Sequence, residues 1–225
     1  MIWDAVGAVL GQAVGIAISP GAIIAVILVL FSAKATVNSL LFLAGWVLGV
    51  GVPFYLVALA ADGADVSDPD SSGSTTQAIV QIVLGLLFFL LAFKQWTGRP
   101  RPGEPETPNK LFAKLADMGP GLAIAFAILM TAVNPKNLAL IVSAAGETGR
   151  LGLSTNDLVI VTILFTLIAT LGVAIPVVLK LAMGEKGTAT LTELRVWMTA
   201  HNAAIMIVLF VVLGAKMLGA GIGAL

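Results

Sequence analysis

Long apolar runs dominate the chain, separated by short clusters of charged, small and turn-forming residues. A membrane-spanning helix needs about 20 mostly apolar residues at about 1.5 Å rise each. Six runs meet that length, at 5–30, 36–61, 77–97, 119–145, 157–180 and 198–220. They predict an all-α integral membrane protein. The first run follows Asp4 with no basic residue ahead of it, so it lacks the positive flank of a cleavable signal peptide and counts as a span. Residues 62–76, rich in Asp, Ser and Gly, predict a solvated loop. Residues 98–108 hold Pro100, Pro102, Pro105 and Pro108 and predict a linker. The expected organisation is a first three-helix repeat over 1–97, a cytoplasmic Pro-rich linker over 98–118 and a second three-helix repeat over 119–225.

Three spans on each side of a linker force the two halves into opposite orientations, a 3+3 inverted repeat. A local echo supports the division. Ile18-Ser19-Pro20-Gly21-Ala22-Ile23 in the first span and Val133-Asn134-Pro135-Lys136-Asn137-Leu138 in the fourth each set a small polar residue before a proline. Proline removes a backbone donor and clashes with the preceding turn, so both spans are expected to be broken. Breaks at mirrored depth mark a transporter site between inverted repeats, where half-helix N-termini attract anions. Packing kinks are the plainer alternative.

Composition agrees with the pattern: 59% of residues are hydrophobic and 11% charged, against about 25% charged in soluble domains. Acids and bases balance at 12 each, which argues against nucleic-acid binding. There is no cysteine and one histidine, which removes disulfides, thiolate chemistry and any multi-histidine metal site. Lys34, Lys94, Arg99, Arg101, Lys110, Lys114, Lys180, Lys186 and Arg195 fall on one side of the six spans. Only Arg150 falls on the side of the termini, with Lys216 if it snorkels from the last turns of the sixth span. The positive-inside rule then predicts a plasma (inner) membrane protein with both termini extracytoplasmic. The acids of that outer side, Glu147 among them, are assigned to loops; those of 62–76 lack a calcium-loop pattern.

Lys136 is the sharpest single residue. A cation near mid-membrane costs at least roughly 2.5–3.5 kcal/mol on insertion scales, and no acid lies deep in a span to pair with it. An external anion is the expected partner; snorkelling is the alternative. The candidate substrate-binding set is Ser19, Pro20, Gly21, Asn134, Pro135, Lys136, Asn137 and Trp46, the last an indole near mid-depth rather than at a span end like Trp3, Trp96 and Trp197. Gly45 and Gly49 around it predict a helix-packing face. His201 and Asn202, opening the sixth span, are the candidates for a proton relay or gate. No catalytic pair, metal cluster or cofactor motif is visible, so neither an enzyme nor a bound cofactor is expected.

The Ser19-Pro20-Gly21 run, Phe42–Gly49, Ala92-Phe93-Lys94-Gln95-Trp96, Asn134-Pro135-Lys136-Asn137 and His201–Met206 with Gly214 together resemble the GAP family of the LysE transporter superfamily, the sulfolipid- or peptidoglycolipid-addressing proteins. The likeness runs the length of the chain, and Asn-Pro-Lys-Asn is its most specific part. The resemblance implies a six-span transporter fold, often from actinobacteria, and a role in moving glycolipids or peptidoglycolipids toward the cell envelope. Ala22 departs from the second proline found in many superfamily members, which implies a softer first break.

The leading expectation is export or flipping of an anionic amphiphile, a glycolipid, peptidoglycolipid or lipid-linked head group, by alternating access. Lys136 would neutralise the head group while Asn134, Asn137 and Ser19 hydrogen-bond it. The alternatives are a gradient-driven exporter of a small anionic or neutral solute, and an accessory subunit of a lipid-export complex. Thiol–disulfide carriers are excluded by the missing cysteines, and metal exporters are disfavoured by the missing intramembrane ligands. Expected partners are the membrane, the anionic lipid or glycolipid, and a second copy of the chain or a lipid-biosynthesis or export protein.

Overall fold

The computed structural model describes residues 2–62, 72–99 and 119–225. Most of the expected linker (100–118), and of the acidic loop (63–71), lies outside the described residues. Seven helices and no strand are present among those described: α1 (Ile2–Ala17), α2 (Pro20–Val29), α3 (Ala35–Asp62), α4 (Ser72–Thr97), α5 (Pro120–Ala132), α6 (Pro135–Gly149) and α7 (Thr155–Gly223). Large apolar side chains such as Leu48, Leu56, Leu90, Leu129 and Leu167 face outward, the surface of a multi-pass membrane protein rather than of a soluble one.

Both proline breaks are present. The residue before a proline is pushed out of the helical region, and Ser19 (φ −117°, ψ 93°) and Asn134 (φ −69°, ψ 117°) are extended accordingly. The chain bends by 53° between α1 and α2 and by 65° between α5 and α6. Each proline takes the first position of the following helix, where a missing N–H is harmless.

The described residues supply three single helices and two bent pairs of spanning length, up to five spans in all, where the sequence predicts six. The difference lies in α7. Its 69 residues would stretch about 100 Å if straight, yet Gly184 (φ 56°, ψ −121°) interrupts it. That backbone region is open to glycine and strained for other residues. Beyond it the chain turns back: Lys180 Nζ donates to Thr188 Oγ1, and a Cβ on Gly187 would lie 2.7 Å from Leu179 O. The loop expected over 181–197 is therefore helical apart from Gly184, because its Lys, Glu, Leu and Arg residues favour helix.

Helices from before residue 100 pack chiefly on helices from after 118. α3 lies against α5, α6 and α7, while α1, α2 and α4 lie against α7. Small residues permit the closest approaches, as expected where packing rather than water drives association. A Cβ on Gly45 would sit 2.5 Å from Ile124 O, and one on Gly49 would overlap Thr131. Gly85 and Gly214 meet across α4 and α7. Phe54 stacks on Phe165 with ring centroids 4.3 Å apart.

Gly172 makes the closest approach to backbone among the described glycines: an added Cβ would lie 2.0 Å from Ala17 O at the end of α1. Gly172→Ala should lower stability to thermal unfolding in detergent by about 1–3 kcal/mol. Gly7→Ala, with no atom within 4 Å, should be neutral or gain up to about 1 kcal/mol. Equal melting of the two variants would refute this packing.

Candidate functional site

α1 ends inside the protein, so its last carbonyls have no helical donor. Lys136, from the other break, supplies one. Its Nζ donates to Gly15 O (2.8 Å) and Ser19 Oγ (2.6 Å), with a longer contact to Ile18 O (3.5 Å). Ser19 Oγ in turn donates to Ile16 O (2.8 Å). A cation at a helix C-terminus also complements the helix dipole. The side chain is 3% exposed, so Lys136 does not snorkel to a surface. Among the described residues no acidic side chain is its partner, and its amino group meets only carbonyl and hydroxyl oxygens.

Asn134 caps α6: its Oδ1 accepts from Lys136 N (3.0 Å), the usual service of an N-cap asparagine. Asn137, one turn on, donates from Nδ2 to Met130 O (3.3 Å) at the end of α5. Its Oδ1 is buried and has no partner among the described residues. Trp46 is fully buried, stacks on Phe42 and donates from Nε1 to Ala169 O (3.3 Å). It therefore both packs and lines the site.

These groups surround one cavity of about 190 Å³. Of the residues picked from the sequence, Ser19, Pro20, Gly21, Trp46, Asn134, Lys136, Asn137 and Asn202 line it. Pro135 does not; it is exposed and acts through the backbone as the first residue of α6. His201 does not either. It is exposed, stacks on Trp197 with centroids 4.6 Å apart, and its Nδ1 lies 2.8 Å from Trp197 O. No cluster of metal-binding side chains occurs among the described residues.

Gln95, Met130, Met206 and Ala22 complete the wall and were not picked out from the sequence as site residues. Gln95 carried a signal, a polar residue closing an apolar span; the two methionines looked like ordinary core. A second cluster was also missed. Glu147, assigned to a loop where the apolar run ends, belongs to α6. Its Oε1 accepts from Gln12 Nε2 (2.9 Å) and Ser143 Oγ (3.3 Å). Lys216, rather than only snorkelling, donates to Gln12 Oε1 (2.9 Å) and Ala8 O (3.2 Å). Helical spacing from Lys136 was the available clue, since eleven residues make about three turns.

Residues 9–223 fit the family model described as Sap, sulfolipid-1-addressing protein. Neither a curated protein nor a solved structure matches the chain.

Proposed function

The chain belongs to the sulfolipid-1-addressing protein family, and from that membership we propose that it is a transporter moving an anionic amphiphile across the membrane toward the cell envelope. The observation that carries this reading is one wall of the cavity. There Lys136, whose ammonium meets no acid among the described residues, and Asn137, whose Oδ1 has no partner among them, follow one another on α6. A cation beside an orphan acceptor suits a group that is both negatively charged and a hydrogen-bond donor, such as a sulfated, phosphorylated or carboxylated sugar. Its negative oxygens would take the weakest of the three ammonium contacts, the one to Ile18 O. A hydroxyl of the same head group would serve Asn137.

The size of the cavity supports a division of the substrate. About 190 Å³ lies below the roughly 300–1,000 Å³ of a drug-sized ligand pocket. It holds a charged head-group fragment, and acyl chains stay in the bilayer. Gln95, at the last turns of α4, lines the cavity beside the basic residues Lys94 and Arg99. Lys34 and Arg195 belong to the same expected cytoplasmic side, where anionic head groups would gather before entry.

In this reading Gly184 divides α7 into the fifth and sixth spans, the two broken helices are related as an inverted repeat within a LysE-type fold, and the termini face outward. Alternating access would rock one repeat against the other, and because the two halves pack chiefly on each other the breaks would have to move with them. An exporter of a small anionic solute is the second reading, favoured by the same small volume.

Retained lipids in native mass spectrometry of the detergent-purified protein separate the two. Wild type should carry an anionic glycolipid that Lys136→Ala loses at least about tenfold, about 1.4 kcal/mol, while bulk phospholipid stays. Equal retention by both would remove Lys136 as the lipid site and leave the small-solute reading. Sidedness has its own check, since the chain has no native cysteine. Leu151→Cys should react with a membrane-impermeant maleimide on intact cells, and Lys186→Cys only after permeabilisation; the reverse pattern inverts the orientation.

A further inference from the structure

Lys136 and Glu147 stand eleven residues apart on α6, on one face and about 16 Å apart along the axis. The face between them is apolar up to Ser143, which turns its hydroxyl to Glu147. Leu140 and Ala144 are buried, and Leu140 and Leu213 close around Gly15 of α1. The anion cavity lies on one side of this plug. On the other side, toward the end of the molecule that holds both termini, Glu147 is half-buried among Gln12, Ser143 and Lys216.

The Gln12 amide is inserted between an acid and a base. Its N–H points at the Glu147 carboxylate and its C=O accepts from the Lys216 ammonium, both at 2.9 Å. That one orientation ties α1, α6 and α7 together. Other charges nearby are few. Arg150 ends the same helix and adds a second positive charge beside Glu147. α3 contributes Asp62, which lies near Gly149. α4 carries Lys94 at its opposite end, and α1 carries Asp4 two turns before Gln12.

We propose that Glu147 is a proton-binding site whose protonation unlatches this end of the transport pathway, an inference that rests on the transport reading above. Ionised, the carboxylate accepts only, and holds the Gln12 N–H. When a proton binds, the new O–H needs an acceptor; the cluster offers Ser143 Oγ, which now donates to the carboxylate, and the Gln12 oxygen that now holds Lys216, and the step proposed takes the second. The amide turns its oxygen to the acid, Lys216 loses its side-chain partner and moves to water, and α7 parts from α1. Loss of the proton to water restores the original orientation.

The chain's lack of cysteine allows a direct test. Gly7→Cys on α1 and Gly219→Cys on α7 each have open space around an added Cβ and carry spin labels across the latch. The doubly labelled protein in lipid nanodiscs is measured by double electron–electron resonance at about pH 8 and about pH 5, one far above and one near the ordinary carboxyl range. The expected result is a shift to longer distance at the lower pH. Glu147→Gln should abolish the shift, and Lys216→Met should give the long distance at both pH values. Should Glu147→Gln fail to fold, Gln12→Leu reads the same bridge and should also give the long distance throughout. A distribution indifferent to pH, or a shift that persists in Glu147→Gln, overturns the proposal. Failure of the transport reading shows differently: lipid retention would ignore Lys136→Ala while the distance still responds to pH.

Discussion

Breaking a helix inside a membrane leaves backbone carbonyls that water does not reach, and each must find a donor within the protein. Here the carbonyl end of α1 is met by the ammonium of Lys136, supplied from the start of α6 more than a hundred residues later. Two costs offset each other. A lone lysine at this depth is expensive, and so is an open helix end, but set together they satisfy one another. The arrangement also requires both prolines. Without the break at Pro20 no carbonyls are free, and without the break at Pro135 the lysine would not sit at a helix start, with its own N–H capped by Asn134.

The cavity follows from that junction. Four helix ends converge on it, and ends cannot fill space as helix sides do, so the walls come from polar side chains together with Trp46, Met130 and Met206. On the side of the termini the packing closes again. Leu140 and Leu213 fill the gap beside Gly15, and beyond them the Gln12 amide joins Glu147 to Lys216. Polar, apolar and polar layers thus succeed each other along one face of α6. Such layering is what a pathway needs if it is to be open at one end and shut at the other.

Much of this was legible from residue types alone. Prolines announced the breaks, the lone lysine pointed to a residue that lines the cavity, and small residues spaced four apart announced a packing face on α3, though not that α5 covers it. What stayed hidden has a common cause. The partners of Lys136 are backbone carbonyls, which every residue possesses, so no side-chain pattern could mark them out. Glu147 sat past the end of an apolar run, where a hydropathy boundary places it in a loop although the helix continues. Gly184 lies among good helix formers, and only its backbone angles reveal the turn. His201, the one histidine, drew notice by its chemistry yet spends its ring on Trp197 at the surface.

The central claim is that the Lys136 junction is an anion site and not only a structural clasp. The most direct measurement is a cryo-electron microscopy structure of the wild-type protein extracted into nanodiscs with its native lipids. The account predicts head-group density in the cavity, within hydrogen-bond distance of Lys136 Nζ and Asn137 Oδ1, with chains running out into the bilayer. A cavity holding only water, with Lys136 still bound to Gly15 and Ser19 alone, would contradict it.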